Sequence, residues 1–265
     1  MIDMHNHVLF GVDDGAQNLE DSLAMLRRAV EVGFSEAVLT PHYMIYKGYT
    51  ACVDENRARF DKLVEETNRE GIPITLHLGS ELCYDYELIN RLDTGAYSAL
   101  DGTRYFLVET TRQGGTALGI QNFMHRLHNK GYKTLFAHPE RYDFVQEDPN
   151  ILLEFMERGT LIQSNYLSLL GYYDCASRDT MKILLEQNMV QLLGSDAHQT
   201  EGYDLYPQAE EAGIAIVGEA KWRELTCDNP RRLLSGEGTI AVDPEPYKKS
   251  IPRAAVKSVI GRFVL

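Results

Sequence analysis

The chain has 265 residues, 44% of them apolar and 25% charged, with a formal net charge of −13. This is ordinary composition for a globular chain with an ample core, and the acidic balance argues against nucleic-acid binding, which needs a basic surface. No run approaches the roughly 18 apolar residues that span a bilayer, and no charged leader precedes the first strand. Cys52, Cys83, Cys175 and Cys227 form no close pair and read as reduced thiols of a cytoplasmic protein, with no disulfide framework.

In chain order, short apolar runs alternate with amphipathic patterns. Residues 1–5 are the first predicted strand. Residues 18–32 follow as a helix with Leu19, Leu23, Leu26 and Val30 on one face, ended by Gly33. A strand at 36–40 precedes a charged helix at 54–70, and strands at 74–80 and 105–109 come next. The helix at 118–130 stops at Gly131 and the fifth strand occupies 132–137. Asp148 and Pro149 suit the N-cap and first position of a helix ending near residue 158. A strand at 160–163, a helix at 177–187 and a strand at 189–194 complete seven strand–helix units. Such alternation predicts a parallel sheet, and seven units without a linker predict an α/β barrel over residues 1–236. The remainder, 237–265, is a basic tail containing Pro244, Pro246 and Pro252. It reads as a poorly ordered tail or a strap on the barrel surface, with an amphipathic anchor or partner-binding helix over residues 253–265 as the alternative.

Metal-type ligands fall at the ends of these strands. His5 and His7 close the first, and alternation puts both imidazoles on one face. Asp14 follows in the next loop, His42 ends the second strand behind Pro41, and Glu81 and Glu109 end the third and fourth. His138 ends the fifth, and Asp196 and His198, again two apart, end the seventh. Each alone has a bland explanation as a cap, a solvated charge or a core histidine. All nine in phase with the strands do not, because a parallel barrel gathers those ends on one face. Nine nitrogen and oxygen ligands without a thiolate suit two or three ions of Mn²⁺, Fe²⁺ or Zn²⁺. Clustered ions can activate a water and neutralise an in-line phosphoryl displacement. Arg141 either grips phosphate oxygens as a fork or pairs locally with Glu140 or Asp143. His77 reads as core, and His125 and His128 as exposed. No Walker loop, G-x-S-x-G elbow or phosphate-cradling cysteine loop is present.

The strings Met1-Ile2-Asp3-Met4-His5-Asn6-His7, Val12-Asp13-Asp14-Gly15, Thr40-Pro41-His42, Ala137-His138-Pro139-Glu140-Arg141 and Ser195-Asp196-Ala197-His198 resemble the polymerase-and-histidinol-phosphatase (PHP) superfamily. Within it the chain is most similar to bacterial manganese-dependent tyrosine phosphatases of capsule and exopolysaccharide operons. That resemblance implies a distorted, TIM-like (β/α)7 barrel with a trinuclear centre. His5, His7, Glu81 and Asp196 would hold one ion; Glu81, Glu109 and His138 a second; Asp14, His42 and His198 a third. Arg141 would bind the substrate phosphate, and the implied partner is the phosphotyrosine-rich tail of a tyrosine kinase that controls polysaccharide export. Homo-oligomerisation is left open.

Three positions depart from the family pattern. Gln199-Thr200-Glu201-Gly202-Tyr203, just after Ser195-Asp196-Ala197-His198, contains no arginine, Leu82-Cys83 stand where an arginine or similar group often follows the third-strand glutamate, and Thr110-Thr111 stand where an aromatic-proline pair is usual. The expected function is phosphotyrosine hydrolysis with altered recognition. The alternatives are a small-molecule phosphatase of the histidinol-phosphate type and a non-catalytic metal-binding regulator.

Overall fold

The computed structural model describes residues 1–112, 117–236 and 239–248. Among the described residues nine short strands run parallel: β1 (Ile2–Asn6), β2 (Glu36–Leu39), β3 (His42–Tyr43), β4 (Thr75–Leu78), β5 (Glu81–Cys83), β6 (Tyr105–Glu109), β7 (Lys133–Ala137), β8 (Leu161–Asn165) and β9 (Leu192–Gly194). They form a three-stranded sheet, β1-β2-β4, and a six-stranded sheet, β3-β5-β6-β7-β8-β9. Thr40-Pro41 separates β2 from β3, and Gly79-Ser80 separates β4 from β5. Each pair is one strand broken midway; at the first break proline lacks the N–H that a central strand needs. The count is then seven strands, in the order that a (β/α)7 barrel requires.

The two outer strands also meet. His5 O accepts from Asp196 N at 2.8 Å and His7 N donates to Ala197 O at 2.9 Å, joining the exit of β9 to the exit of β1. The helices that the strands alternate with are α1 (Leu19–Glu31), α2 (Val53–Arg69), α3 (Leu88–Arg91), α4 (Ala117–Asn129), α5 (Asp143–Glu147), α6 (Ile151–Glu157), α7 (Cys175–Glu186), α8 (Glu201–Asp204), α9 (Tyr206–Arg223) and α10 (Asn229–Ser235). Asn18 caps α1, its side-chain oxygen accepting from Asp21 N, and Leu23, Met25 and Leu26 bury the inner face.

Side-chain alternation along the strands divides the core. Ile2, Met4, Val38, Leu107, Leu135, Leu161 and Leu192 cluster together from six strands, which places them inside the ring. Their neighbours Leu39, Phe106, Val108, Phe136, Ile162 and Leu193 face outward into the cluster shared with the helices. Both sides of the sheet are therefore apolar, the arrangement that parallel strands demand.

Several expectations need correction. Asp148 does not cap a helix: its carboxylate accepts from Asn150 N at 3.1 Å, and α6 starts later, at Ile151. An Asx turn has taken the place of the cap. His77 is half-buried, not core, and meets Glu36 across the β2–β4 pairing at 3.1 Å. His128 is half-buried beside Thr134 at 2.9 Å, while His125 is exposed. Residues 239–248 are tied to the barrel surface at two points: Glu245 N donates to Gln187 O, and Tyr247 N to the Asn150 side chain. The alternative helix from residue 253 onward lies outside the described residues.

Candidate metal centre

All nine ligand candidates converge at the C-terminal ends of the strands: six of them sit on or directly after a strand, Asp196 and His198 follow β9 by two and four residues, and Asp14 lies in the loop after β1. Glu81, at the start of β5, is the hub. Its Oε2 lies 3.1 Å from His5 Nε2, 3.4 Å from His7 Nε2 and 2.9 Å from His42 Nδ1, while Oε1 lies 2.9 Å from His138 Nε2. Asp196 Oδ1 lies 3.5 Å from His5 Nε2 and 3.2 Å from His7 Nε2. Glu109 Oε1 approaches His42 Nδ1 at 3.1 Å, and its other oxygen lies 3.8 Å from His138. Asp14, in the loop after β1, completes the outer side at 3.5 Å from His42 Nε2 and 3.6 Å from His198 Nε2.

The backbone is bent to present two of these groups. His138 (φ 36°) and Asp196 (φ 53°) are in the left-handed region, which costs a non-glycine residue about 1–3 kcal/mol. Gly15 answers a different need. A Cβ there would come within 2.0 Å of His7 O and 2.5 Å of His7 Cβ, so only glycine lets the Asp14 loop fold down onto His7.

Four imidazoles are oriented the same way. His5 Nδ1 donates to Gln163 Oε1 at 2.9 Å, His7 Nδ1 to Asp13 Oδ2 at 2.9 Å, and His198 Nδ1 to Asp196 O at 2.9 Å. Tyr142 Oη accepts from Thr110 N and donates to Ala137 O, so it meets His138 Nδ1 as an acceptor at 3.1 Å. In each case Nδ1 is occupied and Nε2 is left with a free lone pair aimed at the cluster, the arrangement that fixes a metal-binding tautomer. Asp13 also accepts from His42 N and Gly15 N, and Asp3 holds Ser195 and Tyr203 beneath Asp196.

His42 provides the test of whether a cation fits. His42 Nδ1, Glu81 Oε2 and Glu109 Oε1 are fully buried, face one another, and make no hydrogen bond. Buried polar atoms are rarely left unpaired. Two carboxylate oxygens and a ring nitrogen that converge without a proton geometry between them are a donor set for a cation. His5, His7 and Glu81, and separately His7, His42 and His198, make two further groups with the compactness of metal sites. Spacings of about 3 Å between ligand atoms suit bonds of roughly 2.0–2.2 Å to a shared ion.

Electrostatics follow the same geometry. Burial alone would raise Glu81 and Asp196, but the surrounding imidazoles, and Arg141 beside Asp196, hold both well below the usual carboxylate range. Burial and the adjacent His7 depress His42, but Glu81 and Glu109 outweigh them and lift it to about 10.

A cavity of about 460 Å³ opens over the cluster. Arg141 reaches it from the turn after β7, its Nη1 donating to Asp196 Oδ2 at 2.7 Å and its guanidinium 4.2 Å from the Tyr173 ring centre. It therefore pairs with the cluster, and not with Glu140 or Asp143. Glu140 instead turns away, accepting from Asn165 N and Ser168 Oγ. The cavity wall also contains Lys47 and Arg112, neither singled out by the sequence. Lys47 lies 3.3 Å from Asp14, and Arg112 bridges Asp143 and Asp174. Cations thus line the mouth even though Gln199 and Glu201 occupy the region where a second arginine was sought.

A parallel α/β barrel with an imidazole–carboxylate cluster at its strand ends defines a class of metallohydrolase scaffolds, and sequence comparison narrows the class. Residues 1–235 match the family model for capsular polysaccharide synthesis, CpsB/CapC. The chain belongs to that family. The tyrosine-protein phosphatase YwqE of Bacillus subtilis is 30% identical over 94% of this chain and 97% of its own length. A crystal structure from the pair YwqE of B. subtilis and CpsB of Streptococcus pneumoniae, described as metal-dependent tyrosine phosphatases, has a TM-score of 0.84 at 28% identity. It covers 94% of this chain and 100% of its own. A variant of the organophosphorus hydrolase of Deinococcus radiodurans, at 16% identity and a TM-score of 0.54 over 88% of this chain and 92% of its own, shares the fold.

Proposed function

We propose that this chain is a metal-dependent phosphomonoester hydrolase acting on protein phosphotyrosine. The observation that carries the reading is the buried, unpaired trio of His42 Nδ1, Glu81 Oε2 and Glu109 Oε1 within a nine-ligand cluster. Family membership and the YwqE relative support the substrate class. His5, His7, Glu81 and Asp196 would hold one ion; Glu81, Glu109 and His138 a second; Asp14, His42 and His198 a third. His42 faces both of the last two groups, Nδ1 toward Glu81 and Glu109 and Nε2 toward Asp14. Mn²⁺ is the metal we favour, with Fe²⁺ and Zn²⁺ compatible with the same donors. When bound, the ions supply Lewis acidity, which offsets phosphate charge and acidifies a water.

The chain's own residues do the rest. Arg141, fixed between Asp196 and the Tyr173 ring, directs its remaining N–H groups into the cavity, where they meet the equatorial phosphate oxygens. Asp13, Gln163, Tyr142 and the Asp196 carbonyl keep four rings in one tautomer, so that no reorganisation is needed during reaction. Lys47 and Arg112 stand at the mouth with donors to offer a phosphate that displaces part of their pairing with Asp14 and with Asp143 and Asp174. The biological substrate we favour is the phosphotyrosine-rich tail of a tyrosine kinase that governs polysaccharide export. Four free cysteines fit a reducing cytoplasm as the setting. Among the described residues no helix is long and apolar enough to cross a membrane.

The test is kcat/KM on a phosphotyrosyl peptide against histidinol phosphate, both with Mn²⁺. The reading predicts the peptide to be preferred by at least about tenfold, which is 1.4 kcal/mol of differential transition-state binding. A preference for histidinol phosphate would transfer the site to small-molecule chemistry.

A further inference from the structure

The cavity over the cluster is walled by aromatic side chains that the proposed metal chemistry does not use. Among the described residues, five large apolar side chains are exposed, and two of them, Tyr46 (62%) and Tyr172 (55%), line this one cavity. They arrive from different parts of the barrel. Tyr46 follows His42 on the turn after β3, and its phenol is raised by partial burial and by Cys83 and Glu109 nearby.

Tyr172 lines the same cavity from the turn after β8. It follows Gly171, whose φ of 72° ends the turn after β8, and stands edge-on to Tyr173 at 5.2 Å and 89°. Tyr173 is immobilised by Arg141 over its face, by Asn165 Nδ2 donating to its hydroxyl at 3.1 Å, and by its own hydroxyl at 3.3 Å from Asp196. The Tyr172 ring is thus braced through Tyr173 against the same arginine that meets the phosphate. An exposed ring held by a rigid neighbour presents its face at little entropic cost.

We propose that Tyr46 and Tyr172 form an aryl subsite that selects aromatic over alkyl phosphomonoesters. The proposal rests on the phosphatase reading and deepens it. A phosphotyrosyl group carries a ring between its phosphate and the peptide backbone, so with phosphate at Arg141 that ring stands in the mouth between the two tyrosines. A phosphoseryl group carries its phosphate directly on Cβ and offers nothing there to stack. Aromatic pairs gain about 0.5–1.5 kcal/mol beyond simple burial, which is roughly 2- to 10-fold in affinity for each ring.

The experiment is calorimetric binding of phenylphosphonate and of methylphosphonate to the Mn²⁺-loaded full chain and to four variants: Tyr46→Ala, Tyr46→Phe, Tyr172→Ala and Tyr172→Phe. The proposal expects the wild-type chain to favour phenylphosphonate. It also expects the phenyl-to-methyl affinity ratio to fall roughly 2- to 10-fold in each alanine variant and to hold in each phenylalanine variant. Equal affinity of the wild-type chain for the two ligands overturns the aryl subsite and leaves the phosphatase reading standing. A ratio unmoved in both alanine variants, or one that falls equally in the phenylalanine variants, also overturns it. Binding of neither ligand by the metal-loaded chain overturns the phosphatase reading and the subsite with it.

Discussion

Asp13→Asn is the substitution that separates a metal centre from a cluster of ordinary buried ion pairs. Asp13 touches no candidate ion. Its Oδ2 accepts from His7 Nδ1 and from His42 N, and its Oδ1 from Gly15 N, each at 2.9 Å. Both oxygens are therefore acceptors, and asparagine has only one. Whichever way the amide is flipped, an NH₂ faces a backbone N–H, either at Gly15 or at His42. One buried donor goes unpaired, at about 1–3 kcal/mol. The charge-assisted bond that holds the His7 tautomer is also replaced by a neutral one of roughly half the strength. Loss of such a supporting carboxylate costs about 10–100-fold in metal affinity or activity. Mn²⁺ affinity measured by competition with a chelating dye should fall by that factor, and Tm of the metal-free chain should fall as well. Wild-type Mn²⁺ affinity in a folded Asp13→Asn variant would refute the role of His7 as a ligand.

Three further outcomes are expected. Glu81→Gln removes the carboxylate that touches four imidazoles, so phosphate release should fall by at least about 10³-fold while circular dichroism is unchanged; a variant within tenfold of wild type would displace Glu81 from the hub. His42 is held at about 10 without metal, so it is protonated at pH 8 and must lose that proton to bind an ion. Mn²⁺ binding should therefore release about one proton or more, seen as a calorimetric heat that tracks the ionisation enthalpy of the buffer, and affinity should rise with pH up to about 10. Buffer-independent heat would contradict it. Gly15→Ala drives a Cβ into the His7 backbone and should cost about 1–3 kcal/mol of stability along with metal binding; an unchanged melt would show that the loop has room to shift.

That the candidate ligands gather at one place was legible in the sequence, because strand ends in a parallel barrel share one face. Any polar residue that stops an apolar run, such as Glu109 after Leu107-Val108, is delivered there by topology alone. The residues that orient those candidates were not legible. Gln163 lies 158 positions from His5 and ends a predicted strand with no chemistry assigned to it, and Tyr142 looks like any aromatic after a turn. Their roles depend on which strands become neighbours, and local patterning carries no record of that. The strand breaks at Pro41 and Gly79 were partly visible, the proline as a stop to β2. The helices beyond Asp196 went unread for a local reason. Pro207 opens α9, Gly213 packs against Trp222, and Gly218 at φ 79° kinks it, so its apolar residues keep no single stripe. Arg141 had two readings in the sequence, and the Asp196 contact that decides between them spans 55 residues.

Phosphate release from a phosphotyrosyl peptide by the metal-stripped full chain, followed as Mn²⁺ is added back, tests the central claim most directly. The account predicts no turnover without metal, turnover that rises with Mn²⁺, and loss again on adding EDTA. Turnover by chain verified as metal-free, or none by chain verified as Mn²⁺-replete, would contradict it.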